Sequence, residues 1–334
     1  MKIFTAYYIK DLELKNRIIM APMCMYESDD QGFVKPFHLA HYPARAYGGV
    51  SLIIQEATAV TPNGRISGND LGIWRDEHIE GLKSIVDNVH IAGAKMGIQL
   101  SHAGRKCSVQ DAKIVAPSAI GYSERYKVPH ALSIEEIKDI VESFKSAAIR
   151  AKKVGYDLIE VHAAHGYLIN QFISPLANKR EDIYGGNIAN RARFLKEVLL
   201  AIKEVWDGPL TIRVSAEEYA SDGHSVKETL EVLNEVKHLI DAVNVSTGGV
   251  IYAVPEVYEG YQLKAAETIK KAGFMVIGGG FIRNPHFIEN ALQEHKVDFM
   301  FLGRELLLNP YFVLRLAKKV KPELVIPAYR RSFD

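Results

Sequence analysis

The segment His162-Ala163-Ala164-His165-Gly166-Tyr167 places two imidazoles and a phenol within six residues. Imidazoles can donate hydrogen bonds to an oxygen on which negative charge develops, and a neighbouring phenol can supply a proton. The preceding run, Tyr156-Asp157-Leu158-Ile159-Glu160-Val161, reads as a short buried strand, so these groups stand at and just beyond its carboxyl end. In a barrel of alternating strands and helices, catalysis occurs at that end. The stretch predicts an enzyme. Zinc ligation by the i, i+3 histidines is the competing reading, but no His-Glu-x-x-His pattern or cysteine cluster accompanies them. His162 and His165 beside Tyr167 are read as a clamp on a substrate oxygen, with no metal expected.

The ends of the other candidate strands add to this rim. The first is followed by Ala21-Pro22-Met23-Cys24-Met25-Tyr26, and the second ends at Gln55-Glu56-Ala57. The third carries Gln99 and runs into His102-Ala103-Gly104-Arg105-Lys106. Arg213 lies inside the apolar fifth strand, where an unpaired charge is costly. It must pair with an inward acid such as Glu160, face the anionic edge of a ligand, or do both. The seventh strand ends in Gly278-Gly279-Gly280 and the eighth in Gly303-Arg304. Glycines there let backbone N–H groups approach a ligand, each turn leads into a helix start, and Arg304 adds a fixed charge: the features of a phosphate site. The triple glycine is not a dinucleotide fingerprint, because Arg283 stands where the third glycine of that pattern belongs. Cys24 is open to three readings: nucleophile, buried small hydrophobe, or a thiol touching a redox cofactor. Tyr26 is placed in the pocket, and Cys107 is given no role.

Strand candidates that would position these groups are 17–21, 51–57, 96–101, 157–162, 210–215, 242–246, 275–278 and 299–303. Helical patterns lie between them at 76–94, 133–154, 189–206, 225–239, 285–294 and 305–319. Ser133 with Glu136 forms a capping box, and Asn284-Pro285 gives an N-cap with proline at the first helical position. Eight strand–helix units in 334 residues predict an α/β fold: a closed (β/α)8 TIM barrel spanning 1–334 as a single domain. An open α/β sheet is the alternative. Two long connections, Met23–Phe37 and His102–Leu132, leave strand carboxyl ends, where insertions shape pockets.

Composition excludes several classes. Lys+Arg number 41 against 40 Asp+Glu, which gives no reason to expect a nucleic-acid or membrane partner. With only two cysteines, a disulfide framework or cysteine-rich cluster is not expected. The beginning of the chain lacks a signal-peptide core and no apolar run approaches about 18 residues, so a cytoplasmic location is expected.

Taken together, Ala-Pro-Met-Cys-Met-Tyr at 21–26, Gln99 with His-Ala-Gly-Arg-Lys at 102–106, His-Ala-Ala-His-Gly-Tyr at 162–167 and Leu-Gly-Arg-Glu at 302–305 resemble an old yellow enzyme. Ser174-Pro175-Leu176-Ala177-Asn178-Lys179-Arg180, Tyr184-Gly185-Gly186 and Asn190-Arg191 extend the likeness through nearly the whole chain. It is greatest to the short bacterial class of NADPH dehydrogenases, in which a cysteine stands at the place of Cys24. The resemblance implies non-covalent FMN across the strand ends, with NADPH or NADH as reductant. It implies that Ala21, Pro22, Met23 and Cys24 line one side of the flavin, with Cys24 tuning its redox behaviour. Ala57, Gln99 and Arg213 would contact the ring, and Gly279, Gly280, Gly303 and Arg304 would hold the phosphate. His162 and His165 would bind the substrate carbonyl, Tyr26 would clamp the substrate, Lys106 would lie near the pocket, and Tyr167 would donate the proton. The implied reaction is reduction of the C=C bond of α,β-unsaturated aldehydes, ketones and similar activated alkenes. In this class a C-terminal arginine reaches a neighbouring active site, which implies a homodimer or homotetramer with its contact through the tail, about 321–334. Arg331 matches, with Arg330 as a second candidate and Phe333 in place of the usual terminal tryptophan.

Three rivals are weighed. A dienoyl-CoA relative with an iron–sulfur cluster is disfavoured by two cysteines and a chain ending soon after the eighth unit. A flavin-free aldolase or isomerase of phosphorylated substrates would share the phosphate site but leave Gln99, Arg213 and Cys24 without a purpose. A flavin-binding sensor or store would have no need of the histidines and Tyr167.

Overall fold

Buried on both faces, parallel strands read as continuous apolar runs, and eight such runs form this molecule's centre. In the computed structural model, which describes residues 1–253 and 255–332, they are β1 (Ile18–Met20), β2 (Leu52–Ala59), β3 (Lys95–Ser101), β4 (Leu158–Ala163), β5 (Leu210–Ser215), β6 (Ala242–Ser246), β7 (Val276–Gly278) and β8 (Phe299–Leu302). Each pairs in parallel with the next in sequence and β8 closes on β1, giving the expected (β/α)8 barrel. Register places His162 opposite Arg213 and Arg213 opposite Asn244, while Gln99 faces Glu160. The groups singled out in the sequence therefore share neighbouring rows near the carboxyl rim.

The opposite mouth is closed by an N-terminal hairpin, Tyr7–Ile9 with Leu12–Leu14. Its Ile9 and Leu14 are fully buried in a cluster with Leu52, Leu158, Ala242 and Phe299, which begin or nearly begin their strands. Arg17 fastens this floor, its guanidinium 3.7 Å from the Tyr7 ring centroid and its Nη1 donating to Asp298 O at 2.9 Å. The barrel interior is thereby open at its carboxyl mouth.

The helices follow their local signals. Ile134–Val154 starts at the Ser133/Glu136 capping box, buries Ile137, Ile140, Phe144, Ala147, Ala148, Ala151 and Val154 on one stripe, and stops at Gly155 with φ 94°. Where sequence periodicity predicts one helix over 305–319, the chain breaks at Asn309-Pro310 into Arg304–Leu308 and Phe312–Val320. The pattern over 189–206 divides into Ile188–Arg191 and Arg193–Lys203, and that over 225–239 ends in a 3-10 turn. The Met23–Phe37 connection leads into an additional helix, Pro36–Tyr47. His102–Leu132 carries a small strand pair, Val115–Ala116 with His130–Ala131. Among the described residues, no helix is long and apolar enough to cross a membrane.

Candidate active site

At the end of β4 the chain turns sharply. His165 adopts φ 57° and Gly166 φ 72°, both left-handed. A Cβ on Gly166 would lie 2.1 Å from Gly249 O, so only glycine allows this approach. The strained His165 backbone is held from three sides: its N–H donates to Ser215 Oγ (2.9 Å), and its carbonyl accepts from Lys106 Nζ (3.0 Å) while Gly166 N–H donates to Asn170 Oδ1. This turn brings the two imidazoles edge to face at 5.1 Å and sets Tyr167 against His162 at 4.8 Å.

Protonation follows from burial. Both imidazoles are held well below the ordinary histidine range, first by loss of water and then by the nearby cations Arg213 and Lys106. They are neutral, so each has one N–H. Ala164 N–H donates to His162 Nδ1 at 3.3 Å, which puts the His162 proton on Nε2. His165 Nε2 meets Ser246 Oγ at 2.7 Å, a partner that the sequence did not suggest. Burial raises the Tyr167 phenol well above its usual pKa, so it carries its proton at any working pH. Burial also pulls Lys106 down to about 8. Its ammonium lies 5.1 Å from the Tyr167 ring centroid and 4.5 Å from that of Tyr122.

Histidine neutrality has a measurable consequence at His102, whose buried ring is pulled down to about 4 by lack of water. In the unfolded chain it takes up a proton near pH 6.5, whereas the folded chain does not until about pH 4. The folded state thus binds fewer protons in this window, and stability is lost as pH falls through it. The stability difference between wild type and His102→Asn should shrink by about 1.4 kcal/mol per pH unit below 6.5. Parallel urea titrations at pH 7 and 5.5 check this; an unchanged difference would show that His102 titrates normally.

A second group of predicted residues encloses a cavity beside the histidines. Ala21, Pro22, Met23, Arg213, Gly280, Gly303 and Arg304 line it, with His165 at its edge. Arg213 is buried in its wall, yet among the described residues its Nε has no hydrogen-bond partner and its Nη1 reaches Pro22 O at 3.4 Å. The acid anticipated as its partner is beneath it, but Glu160 gives its oxygens to Gln99 Nε2 (2.7 Å) and Asn244 Nδ2 (2.8 Å). Glu160 therefore acts on Arg213 through its charge, and the guanidinium edge stays open to a ligand. Gln99 keeps its amide oxygen for the same purpose.

The glycine ends form a cradle that side chains would fill. A Cβ on Gly279 would come within 2.5 Å of the Phe301 ring, and Gly280 has φ 109°. Arg304 is exposed at the mouth, its Cζ 5.2 Å from the Phe281 ring centroid. A buried cation with an unused N–H, an open amide oxygen and a glycine cradle rimmed by arginine fit a flat electron-rich ring with a phosphate tail. They fit the FMN that the resemblance implies.

The Met23–Tyr26 loop closes the third side. Cys24 lies on this loop, near Ala57, Tyr26, Asp70 and Glu56. Burial, then Asp70 and Glu56, push its pKa up, so it is a thiol rather than a thiolate nucleophile. Tyr26 is half exposed and takes φ 56°. The structure thus clusters His162, His165, Tyr167 and Lys106, and lines the cavity with Ala21, Pro22, Met23, His165, Arg213, Gly280, Gly303 and Arg304; Gln99 joins through Glu160, while Cys24, Tyr26, Ala57 and Gly279 lie on neighbouring segments outside the lining. Arg330 and Arg331 lie exposed in the 3-10 turn Pro327–Ser332, outside this group, and Phe333 lies outside the described residues. Ser215, Asn244, Ser246 and Gln262 were not anticipated. Asn244 had a signal, as a polar residue inside the apolar run Ala242–Ser246; the others depend on the barrel's register.

Comparison with known proteins agrees with this geometry. Residues 2–323 match the model of the NADH:flavin oxidoreductase / NADH oxidase family. The chain is 51% identical over 339 residues to an NADPH dehydrogenase of Clostridium acetobutylicum, covering 100% of both chains. It is 47% identical over 336 residues to an NADPH dehydrogenase of Bacillus subtilis, covering 99% of each. Among solved structures it resembles morphinone reductase in complex with tetrahydroNAD, with a TM-score of 0.82 and 29% identity over 97% of this chain and 94% of that one.

Proposed function

Because the chain belongs to the NADH:flavin oxidoreductase / NADH oxidase family and is an FMN-dependent oxidoreductase with NADPH as reductant, we propose that it reduces the C=C bond of α,β-unsaturated aldehydes, ketones and related activated alkenes. When bound, FMN would supply the hydride-transfer chemistry, with NADPH as the reductant. The chain's residues bind, orient and protonate.

Gly279, Gly280, Gly303 and Arg304 hold the phosphate; Ala21, Pro22, Met23, Cys24 and Ala57 flank the ring; Arg213 and Gln99 meet its polar edge. His162 Nε2–H donates to the carbonyl oxygen of the alkene. A neutral donor interacts more strongly with that oxygen as enolate charge builds, which lowers the barrier. His165 adds a second donor, from Nδ1 or by exchanging its Ser246 contact. Tyr26 covers the substrate, Lys106 fixes the His165 backbone, and Tyr167 gives its proton to the α-carbon. The observation that carries this reading is the neutral His162 ring, its Nδ1 occupied by Ala164 N–H, packed edge to face on the Tyr167 ring with centroids 4.8 Å apart.

By the same reading the whole chain works as one FMN-binding domain, and the exposed tail lends Arg331 to a neighbouring copy in a homodimer or homotetramer. Anaerobic turnover with NADPH tests the reaction. The proposal expects 2-cyclohexenone to yield one cyclohexanone per NADPH consumed, with cyclohexene inert. Absence of cyclohexanone would overturn it.

A further inference from the structure

The second strand carries an irregularity whose purpose the reaction above does not explain. Along β2, Gln55 stands opposite Ile98 and Ala57 opposite Gln99, so Glu56 is an extra residue without a partner on β3. Such a bulge re-aims side chains. Here it does two things to one loop. It sets Ala57 next to the Cys24 side of the loop, and it sends the Glu56 side chain out of the barrel wall to Met25 N–H and the Tyr42 hydroxyl.

The Glu56 carboxyl is buried, with 1% of the residue exposed. Its Oε2 accepts from Met25 N–H at 2.8 Å, next in the chain to the strained Tyr26. Its Oε1 accepts from Tyr42 O–H at 2.8 Å, and the same hydroxyl accepts from Glu56 N–H at 3.2 Å. His38 Nε2 approaches Oε1 to 3.7 Å. Every contact is a donor aimed at an acceptor, a set that suits the carboxylate and not the acid. The loop it holds needs holding: Tyr26, a bulky non-glycine residue, is kept at φ 56°.

We propose that Glu56 is a positioning residue, whose ionised carboxylate pins the Met25 and Tyr26 backbone and thereby sets where Cys24 and Tyr26 stand against the flavin and the alkene. This rests on the functional reading above for the roles of Cys24 and Tyr26. The groups facing Glu56 are Tyr42 and His38 from the helix Pro36–Tyr47, Cys24 and Tyr26 from the loop, and Asp70 from the segment that packs behind it. None of them is a cation at neutral pH, since burial keeps the His38 ring neutral. Burial accordingly lifts Glu56 to about 7, within reach of ordinary buffers. Protonation would set an O–H against backbone N–H donors and release the loop.

The test uses FMN-loaded wild type, Glu56→Gln and Tyr42→Phe. The flavin absorption band, followed from pH 5.5 to 8.5, should show a transition centred near 7 in wild type as Cys24 shifts. Glu56→Gln should abolish the transition and raise the KM for 2-cyclohexenone about fivefold. Tyr42→Phe removes a donor to the carboxylate and should move the transition to higher pH; it also serves if the glutamine variant folds poorly. A band indifferent to pH in wild type, or a transition that neither substitution moves, would overturn the proposal, even if both variants melt earlier. If wild type fails to reduce the enone, the alkene reading falls, while the flavin band still decides the role of Glu56.

Discussion

Tyr167→Phe should slow alkene reduction by about 10²–10⁴-fold while leaving oxidation of NADPH by the enzyme unchanged within about twofold. The asymmetry follows from where the hydroxyl sits. The phenol is kept protonated by burial, and no charged partner shares its proton. Phenylalanine keeps the ring that packs edge to face on His162 and beneath the Lys106 ammonium, so the pocket's shape survives. The backbone bond from Tyr167 N–H to Ala164 O at 3.1 Å survives as well. On the proposed reading, only the proton for the α-carbon is lost, and NADPH oxidation would not use it. Rapid mixing of each half-reaction separates the two. Equal loss in both would mean that Tyr167 shapes the nicotinamide site rather than donating a proton.

Arg213→Met should weaken FMN binding by roughly 10–150-fold, the worth of a charge-assisted hydrogen bond. It should also cost about 3 kcal/mol of stability before any flavin is added, because it strips the counter-charge from buried Glu160. These two losses have different origins and can be parted. Adding Glu160→Gln removes the orphaned charge; its amide oxygen accepts from Gln99 Nε2, and its N–H donates to Asn244 when that amide turns its unpartnered Oδ1 inward. The double variant should recover most of the stability and none of the FMN affinity. Urea unfolding of the apoprotein and fluorescence titration with FMN measure both. If the double variant regains affinity, Arg213 serves the barrel and not the ligand.

The barrel was legible because its eight strands are buried on both faces and read as bounded apolar runs, and all eight form where expected. The helix Pro36–Tyr47 was not: it has an interior Pro43 and buries His38, His41 and Arg45, so its inner face looks polar in sequence. The floor hairpin escaped notice because each of its strands is three residues long. At the site, strand-end motifs were enough to gather His162, His165, Tyr167, Arg213 and the glycines. Their partners were hidden by register. That Glu160 answers Gln99 and Asn244 is decided by which residues face each other around the closed sheet. That Glu56 leaves the barrel wall altogether depends on a bulge, which one-residue alternation cannot reveal.

One cavity that serves both NADPH oxidation and alkene reduction through FMN would show itself in the visible spectrum during anaerobic titration. The purified protein should be yellow, bleach on addition of NADPH, and regain its colour in proportion to added 2-cyclohexenone. Protein that bleaches but stays bleached with the enone, while air restores the colour, would keep the FMN site and contradict the assignment of His162, His165 and Tyr167 to alkene reduction.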